Sequence, residues 1–148
     1  MAKSNNAADG RVMSPLNLLM KVAPGRKTGL RENNAAVSAV IKAGADAIGT
    51  LHEARFVQID DDTVMLLTTY DGDFDTYIDD FTKHLSEVFN MLLPNVVDPP
   101  PLPVEKNPRE FAAWVRARDL PVMSSYYSAY PDLTVQDILA LRANLQPA

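Results

Sequence analysis

The chain has 148 residues, 47% hydrophobic and 22% charged, which is enough for a single domain with its own core. Its net charge of -5 disfavours binding to nucleic acid or to an anionic membrane, because both require a basic patch. The sequence has no cysteine, which excludes disulfides and thiolate chemistry and is compatible with a reducing cytoplasm. No apolar run approaches about 18 residues. We therefore expect a cytoplasmic protein without a signal peptide or a membrane span, and a loose tail at residues 1–12.

The first two predicted elements are a strand and a helix. Residues 15–22 carry apolar side chains at every second position and end before a Pro-Gly pair, as a strand does. Residues 28–49 are rich in alanine and place apolar side chains at helical spacing. Gly49 suits the C-cap of this helix, whereas Gly44 weakens its middle.

The next segment predicts two strands followed by one amphipathic helix. Residues 52–59 and 63–70 both alternate in the manner of strands, and three aspartates at 60–62 form the turn between them. Residues 74–92 then carry apolar side chains at steps of three and four, which predicts a single helix. Asp73 is its expected N-cap.

The remaining elements follow a proline-rich stretch. Residues 94–108 contain six prolines and predict a stiff, extended connection within a single domain of residues 13–148. Pro108 suits the first position of a short helix. Residues 120–130 predict a last strand, and Thr134 begins a final helix.

This element order predicts an α+β fold of the ferredoxin-like, split βαβ type. Its antiparallel sheet carries helices on one face, with an extra helix before the last strand and another after it. The two central strands are apolar on both faces, but the helices can cover only one. We therefore expect a homodimer formed through the open sheet face.

The element order over residues 15–130 and the segments LHEARFV (51–57) and LTTYDGD (67–73) resemble the dimeric α+β barrel superfamily, in its uncharacterised bacterial branch. The resemblance implies several chemistries: cofactor-independent monooxygenases, polyketide cyclases, haem-degrading enzymes, dye-decolorising peroxidases, chlorite dismutases and non-enzymatic roles. Haem-binding branches use a histidine ligand. The resemblance thus keeps His52 and His84 as candidate haem ligands without selecting either, and the cofactor stays open.

The predicted hairpin brings residue 52 close to residue 70. Five polar residues then share one end of the sheet: His52, Glu53, Arg55, Tyr70 and Asp71. We predict His52, Arg55 and Tyr70 as catalytic, because a histidine and a tyrosine provide acid–base chemistry. Glu53 and Asp71 are predicted ligand-binding residues, since either with the arginine could hold an anion or form an ion pair. The alternative is a cross-strand polar cluster with a structural role.

A second polar group lies on the predicted last strand. Its hydroxyl-rich sequence includes Tyr126 and Tyr127, which we predict to line a ligand pocket with donors on rigid aromatic rings. Tyrosines of an edge strand at a dimer contact would have the same pattern.

The aspartates between residues 71 and 80 have the alternating carboxylates of a calcium loop. Glycine falls at the second position of that loop, however, and Thr82 occupies the twelfth, where an EF-hand has glutamate. Helix capping and a solvated helix face explain these residues better. We predict no metal site.

Together these features predict a homodimer that binds a small apolar or aromatic molecule between its helices and its sheet. One hypothesis is an oxidoreductase of the monooxygenase or peroxidase type, and the alternative is a non-catalytic binding or assembly module. An enzyme is expected to place His52, Arg55, Tyr126 or Tyr127 beside the apolar walls of a pocket. A module would fill that space with its own side chains.

Overall fold

The structure is a computed structural model that describes residues 10–145. Residues 1–9 of the tail predicted over residues 1–12, and the last three residues of the chain, lie outside the described part. The elements in chain order are β1 (Met13–Lys21), α1 (Lys27–Ile48), β2 (Leu51–Asp60), β3 (Thr63–Asp71), α2 (Phe74–His84), α3 (Ser86–Leu92), α4 (Pro108–Arg118) and α5 (Val135–Leu145). The proline-rich connection between α3 and α4 contains two short 3-10 turns, Leu93–Asn95 and Val104–Lys106, where we expected only extended chain.

The sheet has three strands in the order β1-β3-β2. Both β1 and β2 pair antiparallel with β3, so they run parallel to each other with β3 inserted between them. A parallel pair connected by a helix and split by a third strand is the split βαβ arrangement. The predicted α+β, ferredoxin-like fold class is confirmed.

The core lies between one face of the sheet and the helices. A chain of ring contacts crosses it, with centroid distances of 3.8, 4.3, 5.4 and 5.0 Å between successive rings. The rings belong to Tyr70, Tyr77, Phe81, Phe89 and Phe111. Because these residues come from β3, α2, α3 and α4, the aromatic chain fixes the helices to the sheet.

The predicted helix over residues 74–92 is wrong in one respect, since it is two helices with a break at Leu85. Asp73 caps α2 as predicted, its Oδ1 accepting the Thr76 N–H at 2.9 Å. Leu85 has φ -126°, and its buried side chain packs against Gly44 of α1. The break therefore places Leu85 in the interface between α1 and the α2–α3 pair.

The predicted last strand is also wrong. Residues 120–130 form no strand, and an isolated antiparallel bridge between Leu18 and Asp119 marks the place beside β1 where it would begin. Pro121 has no N–H to donate to a ladder, which opposes continued pairing at this point.

The final helix, α5, stands apart from the core. It begins after Thr134 as predicted, but none of its residues is buried. Its apolar Ile138, Leu139 and Leu141 are 37%, 47% and 52% exposed. Neither α5 nor another helix within residues 10–145 is long and apolar enough to cross a membrane.

Candidate functional site

His52 and Asp71 form a close pair at one end of the sheet. The register of β2 against β3 shifts between Leu51 and Glu53, so His52 is the extra residue of a β-bulge. Its Nε2 lies 2.6 Å from Oδ1 of Asp71, the last residue of β3. The two side chains are only 14% and 10% exposed. Two of the predicted site residues are thus brought into direct contact.

The Asp71 carboxylate also holds the start of α5. Its Oδ2 accepts the backbone N–H of Val135 at 2.7 Å. A carboxylate at a helix N-terminus is stabilised by the helix dipole and satisfies a donor that the helix leaves free. Gln136 makes a second connection, its Nε2 donating to the Gly49 carbonyl at 2.9 Å. These two bonds fix the first turn of α5 beside His52.

A cavity of about 390 Å³, which we call the His52 cavity, lies beside this pair. It is an open cleft between the end of α1, the start of β2 and the first turns of α5. Its apolar walls are Leu51, Val135, Ile138 and Leu139, and its polar lining includes His52, Asp46 and Gln136. The volume is within the roughly 300–1,000 Å³ range of small-molecule sites.

The hydrogen bond to Asp71 determines what His52 can do. If Nε2–H donates to the carboxylate, the neutral imidazole has its free lone pair on Nδ1. Nδ1 can then accept a proton from an acidic group, and the adjacent carboxylate stabilises the imidazolium that results. The pair therefore has the chemistry of a general base beside a partly apolar cavity.

Tyr70 does not reach the His52 cavity. It is 1% exposed and stacks on Tyr77 in the core. Burial, with a smaller contribution from the charge of Asp119, raises the pKa of Tyr70 to about 12. Its predicted catalytic role stays a prediction, and this position gives it no contact with a ligand in the cavity.

The other predicted site residues lie elsewhere. Glu53 and Arg55 are exposed beside each other on the open sheet face, their charged groups 4.0 Å apart. The Tyr126 hydroxyl lies 3.4 Å from Thr69 Oγ1, and Tyr127 is 85% exposed. The predicted cluster thus separates into the nearly buried His52–Asp71 pair and an exposed Glu53–Arg55 ion pair further along β2.

The sequence did not indicate that α5 forms a wall of the site. One local signal marks where α5 begins: Thr134 and Asp137 form a reciprocal capping box with bonds of 3.0 and 3.1 Å. That signal locates the helix start in the chain but not its position beside β2. For this reason the sequence did not predict Leu139 and Gln136 as site residues.

The two histidines offer little for haem. His84 is exposed at the end of α2 and does not line the His52 cavity, whereas His52 has Nε2 engaged by Asp71. Two of the three aspartates of α2 are also separately paired, Asp75 with Arg116 and Asp79 with Lys83. Within residues 10–145, no three acidic or histidine side chains converge on one point in a way that could hold a metal.

No family model matches the chain, and no curated protein matches it. Among solved structures, it is similar to a candidate antibiotic biosynthesis monooxygenase from Chloroflexus aurantiacus J-10-fl. The two share 16% identity and a TM-score of 0.41 over 57% of this chain and 82% of the other. A likeness this weak supports no statement about function, and the fold class rests on the strand order described above.

Proposed function

We propose that this protein binds a small, partly apolar molecule in the His52 cavity and that the His52–Asp71 pair removes a proton from it. The observation that supports the proposal is the nearly buried pair, with 2.6 Å between Nε2 and Oδ1, beside a cavity lined by Leu51, Ile138 and Leu139. From the sequence, an enzyme of this kind is expected to place His52 beside the apolar walls of a pocket.

The expected substrate has a weakly acidic O–H or C–H group on an apolar or aromatic body. Loss of that proton to Nδ1 leaves an electron-rich anion that can react with dioxygen. Oxidation of a hydroxyarene at a free ring position gives a quinone and one water, so dioxygen is the only co-reactant. This is the monooxygenase-type chemistry that the family resemblance implies. A peroxidase type would require haem, which the positions of the two histidines do not favour.

We further propose that the active form is a homodimer, located in the cytoplasm. Val57 and Ile59, which alternate with the helix-facing residues of β2, are 37% and 54% exposed. Apolar Leu67 of β3 is only half-buried on the same face. A second sheet packed there would remove these side chains from water.

The test is turnover of a panel of hydroxyarenes and 1,3-dicarbonyl compounds, measured as dioxygen consumption and product formation. His52→Ala is expected to lower the rate about 10²- to 10⁴-fold, the usual contribution of a general base. His84→Ala is the matched control, because His84 is exposed and outside the cavity. Equal rates in all three proteins would contradict the proposed role of His52.

The same panel distinguishes the alternative function. A compound that binds the wild type and His52→Ala with similar affinity, and is never converted, would indicate a non-catalytic binding module. The cavity would then still be the binding site, but His52 would only line it.

A further inference from the structure

A second cavity, of about 290 Å³, lies under the opposite end of α1. We call it the Arg31 cavity. Leu30 and Val37 of α1 form one wall, and Phe56, Val64 and Leu92 form the other. It shares no lining residue with the His52 cavity. Arg31 and Ala45 line different cavities, and the rise along α1 from one to the other is roughly 21 Å at 1.5 Å per residue, so the two cavities are separate.

The polar lining of the Arg31 cavity consists of groups that suit an anion. It includes the guanidinium of Arg31 and the amides of Asn34 and Gln58, and no carboxylate. Among the described residues, Arg31 forms one ion pair, to Asp61 at 3.7 Å, and its side chain is 65% exposed. Such a long, solvated pair is weak, and guanidinium donors remain available to a ligand.

We propose that the Arg31 cavity is a second binding site, for a compact amphipathic monocarboxylate. The carboxylate pairs with Arg31 and accepts from the neighbouring amides, while the apolar body lies between Phe56 and Val37. The volume is near the lower limit of roughly 300 Å³ for small-molecule sites, which restricts the ligand to a short chain or a single ring. This site does not depend on the chemistry of the His52–Asp71 pair.

The geometry of α1 allows such a ligand to enter. Of its 22 residues, Val37, Gly44 and Ile48 are the buried ones, and Leu30, Val40 and Ile41 pack against the core while partly exposed. Its first turns are held to the β2–β3 turn by exposed ion pairs, of which Lys27–Asp61 measures 3.3 Å. Exposed pairs of this kind exchange readily with water.

The test compares octanoate with 1-octanol, which have the same number of carbon atoms and similar alkyl chains but differ in charge. Backbone amide spectra are recorded during titration of the wild type and of Arg31→Gln. Octanoate is expected to shift amides of residues 30–37 and 56–64, and its affinity is expected to fall about three- to tenfold in Arg31→Gln. The affinity for octanol is expected to stay the same.

Three further variants make the test specific. Asp61→Asn is expected to strengthen octanoate binding, because it removes the competing partner of Arg31. Arg109→Gln, an exposed arginine of α4, is the control for the loss of one positive charge. His52→Ala is expected to leave octanoate affinity unchanged, which keeps this site distinct from the proposed catalytic one.

The proposal is overturned if octanoate fails to saturate the wild type or if Arg31→Gln weakens octanoate and octanol equally. It is also overturned if the shifts concentrate at residues 49–52 and 135–139, because the ligand would then occupy the His52 cavity. Arg31 is exposed, so loss of the fold is not expected to obscure the result.

Discussion

One carboxylate, that of Asp71, connects His52 to the start of α5. Its Oδ1 lies 2.6 Å from His52 Nε2, and its Oδ2 accepts the Val135 N–H at 2.7 Å. The proposed general base and one wall of its cavity therefore depend on the same side chain.

Asp71→Ala is expected to destabilise the protein and to release α5. Hydrogen bonds to a charged group contribute about 1.5–3 kcal/mol each, and this change removes two. Urea unfolding measures the loss in free energy, and hydrogen exchange should show the largest increase at the amides of residues 135–145. Asp132→Ala, at an exposed position just before α5, should change neither the free energy of unfolding nor the hydrogen exchange of α5. Unchanged exchange in α5 would mean that other contacts hold it.

Gly44→Ala is expected to destabilise the fold, although the intrinsic helix propensity of alanine is about 1 kcal/mol more favourable than that of glycine. A Cβ at this position would lie 2.4 Å from Leu85 Cδ2 and 2.5 Å from the His84 carbonyl oxygen. The backbone atom cannot move aside cheaply, so α1 must shift. Thermal unfolding measures the effect, and an increase in Tm would contradict this packing.

Gly44 also shows how far the sequence could be interpreted. The sequence predicts that Gly44 lies within a helix and that glycine weakens the middle of that helix. It does not predict why glycine occurs at this position. The reason for glycine is the approach of α1 to the α2–α3 break, which lies about 40 residues away in the chain. The break itself was missed for the same reason, because the apolar spacing of residues 74–92 continues across it.

The candidate site was predicted in part. The hairpin register correctly brought His52 near Asp71, because that proximity depends only on the turn. Strict alternation does not predict the bulge at His52, however, which shifts the pairing of β2 with β3 by one residue. The position of α5 depends on contacts with residues more than 60 positions earlier, which no local pattern reveals.

Tyr70 makes stability sensitive to alkaline pH. Burial raises its pKa from the ordinary 10.0 to about 12, so the folded state holds the proton more tightly than the unfolded chain. Its contribution, about 2–3 kcal/mol, is complete below pH 10 and is lost as the pH rises toward 12. The free energy of unfolding, measured with urea between pH 9 and 11.5, should fall less steeply with pH in Tyr70→Phe than in the wild type. Tyr127→Phe, at an 85% exposed position, should follow the wild type.

Val57→Asp is expected to convert the proposed dimer into a folded monomer. The side chain is 37% exposed within one subunit, so a charge there is tolerated by the fold but not by a sheet-to-sheet interface. Sedimentation at micromolar concentration measures the change. Val97→Asp, at 38% exposure outside the sheet, is the matched control. A wild-type monomer would refute the dimer.

The most direct test of the central proposal is to map the position of a bound compound from the panel. The amide and imidazole signals of the wild type are followed during titration, together with those of Leu139→Trp and Leu141→Trp. Leu139 lines the His52 cavity, whereas Leu141 is 52% exposed on the same helix and does not line it. We predict shifts at residues 49–52 and 135–139, including the His52 ring, that disappear in Leu139→Trp and persist in Leu141→Trp. Shifts elsewhere, or binding that survives in Leu139→Trp, would contradict the assignment of this cavity as the ligand site.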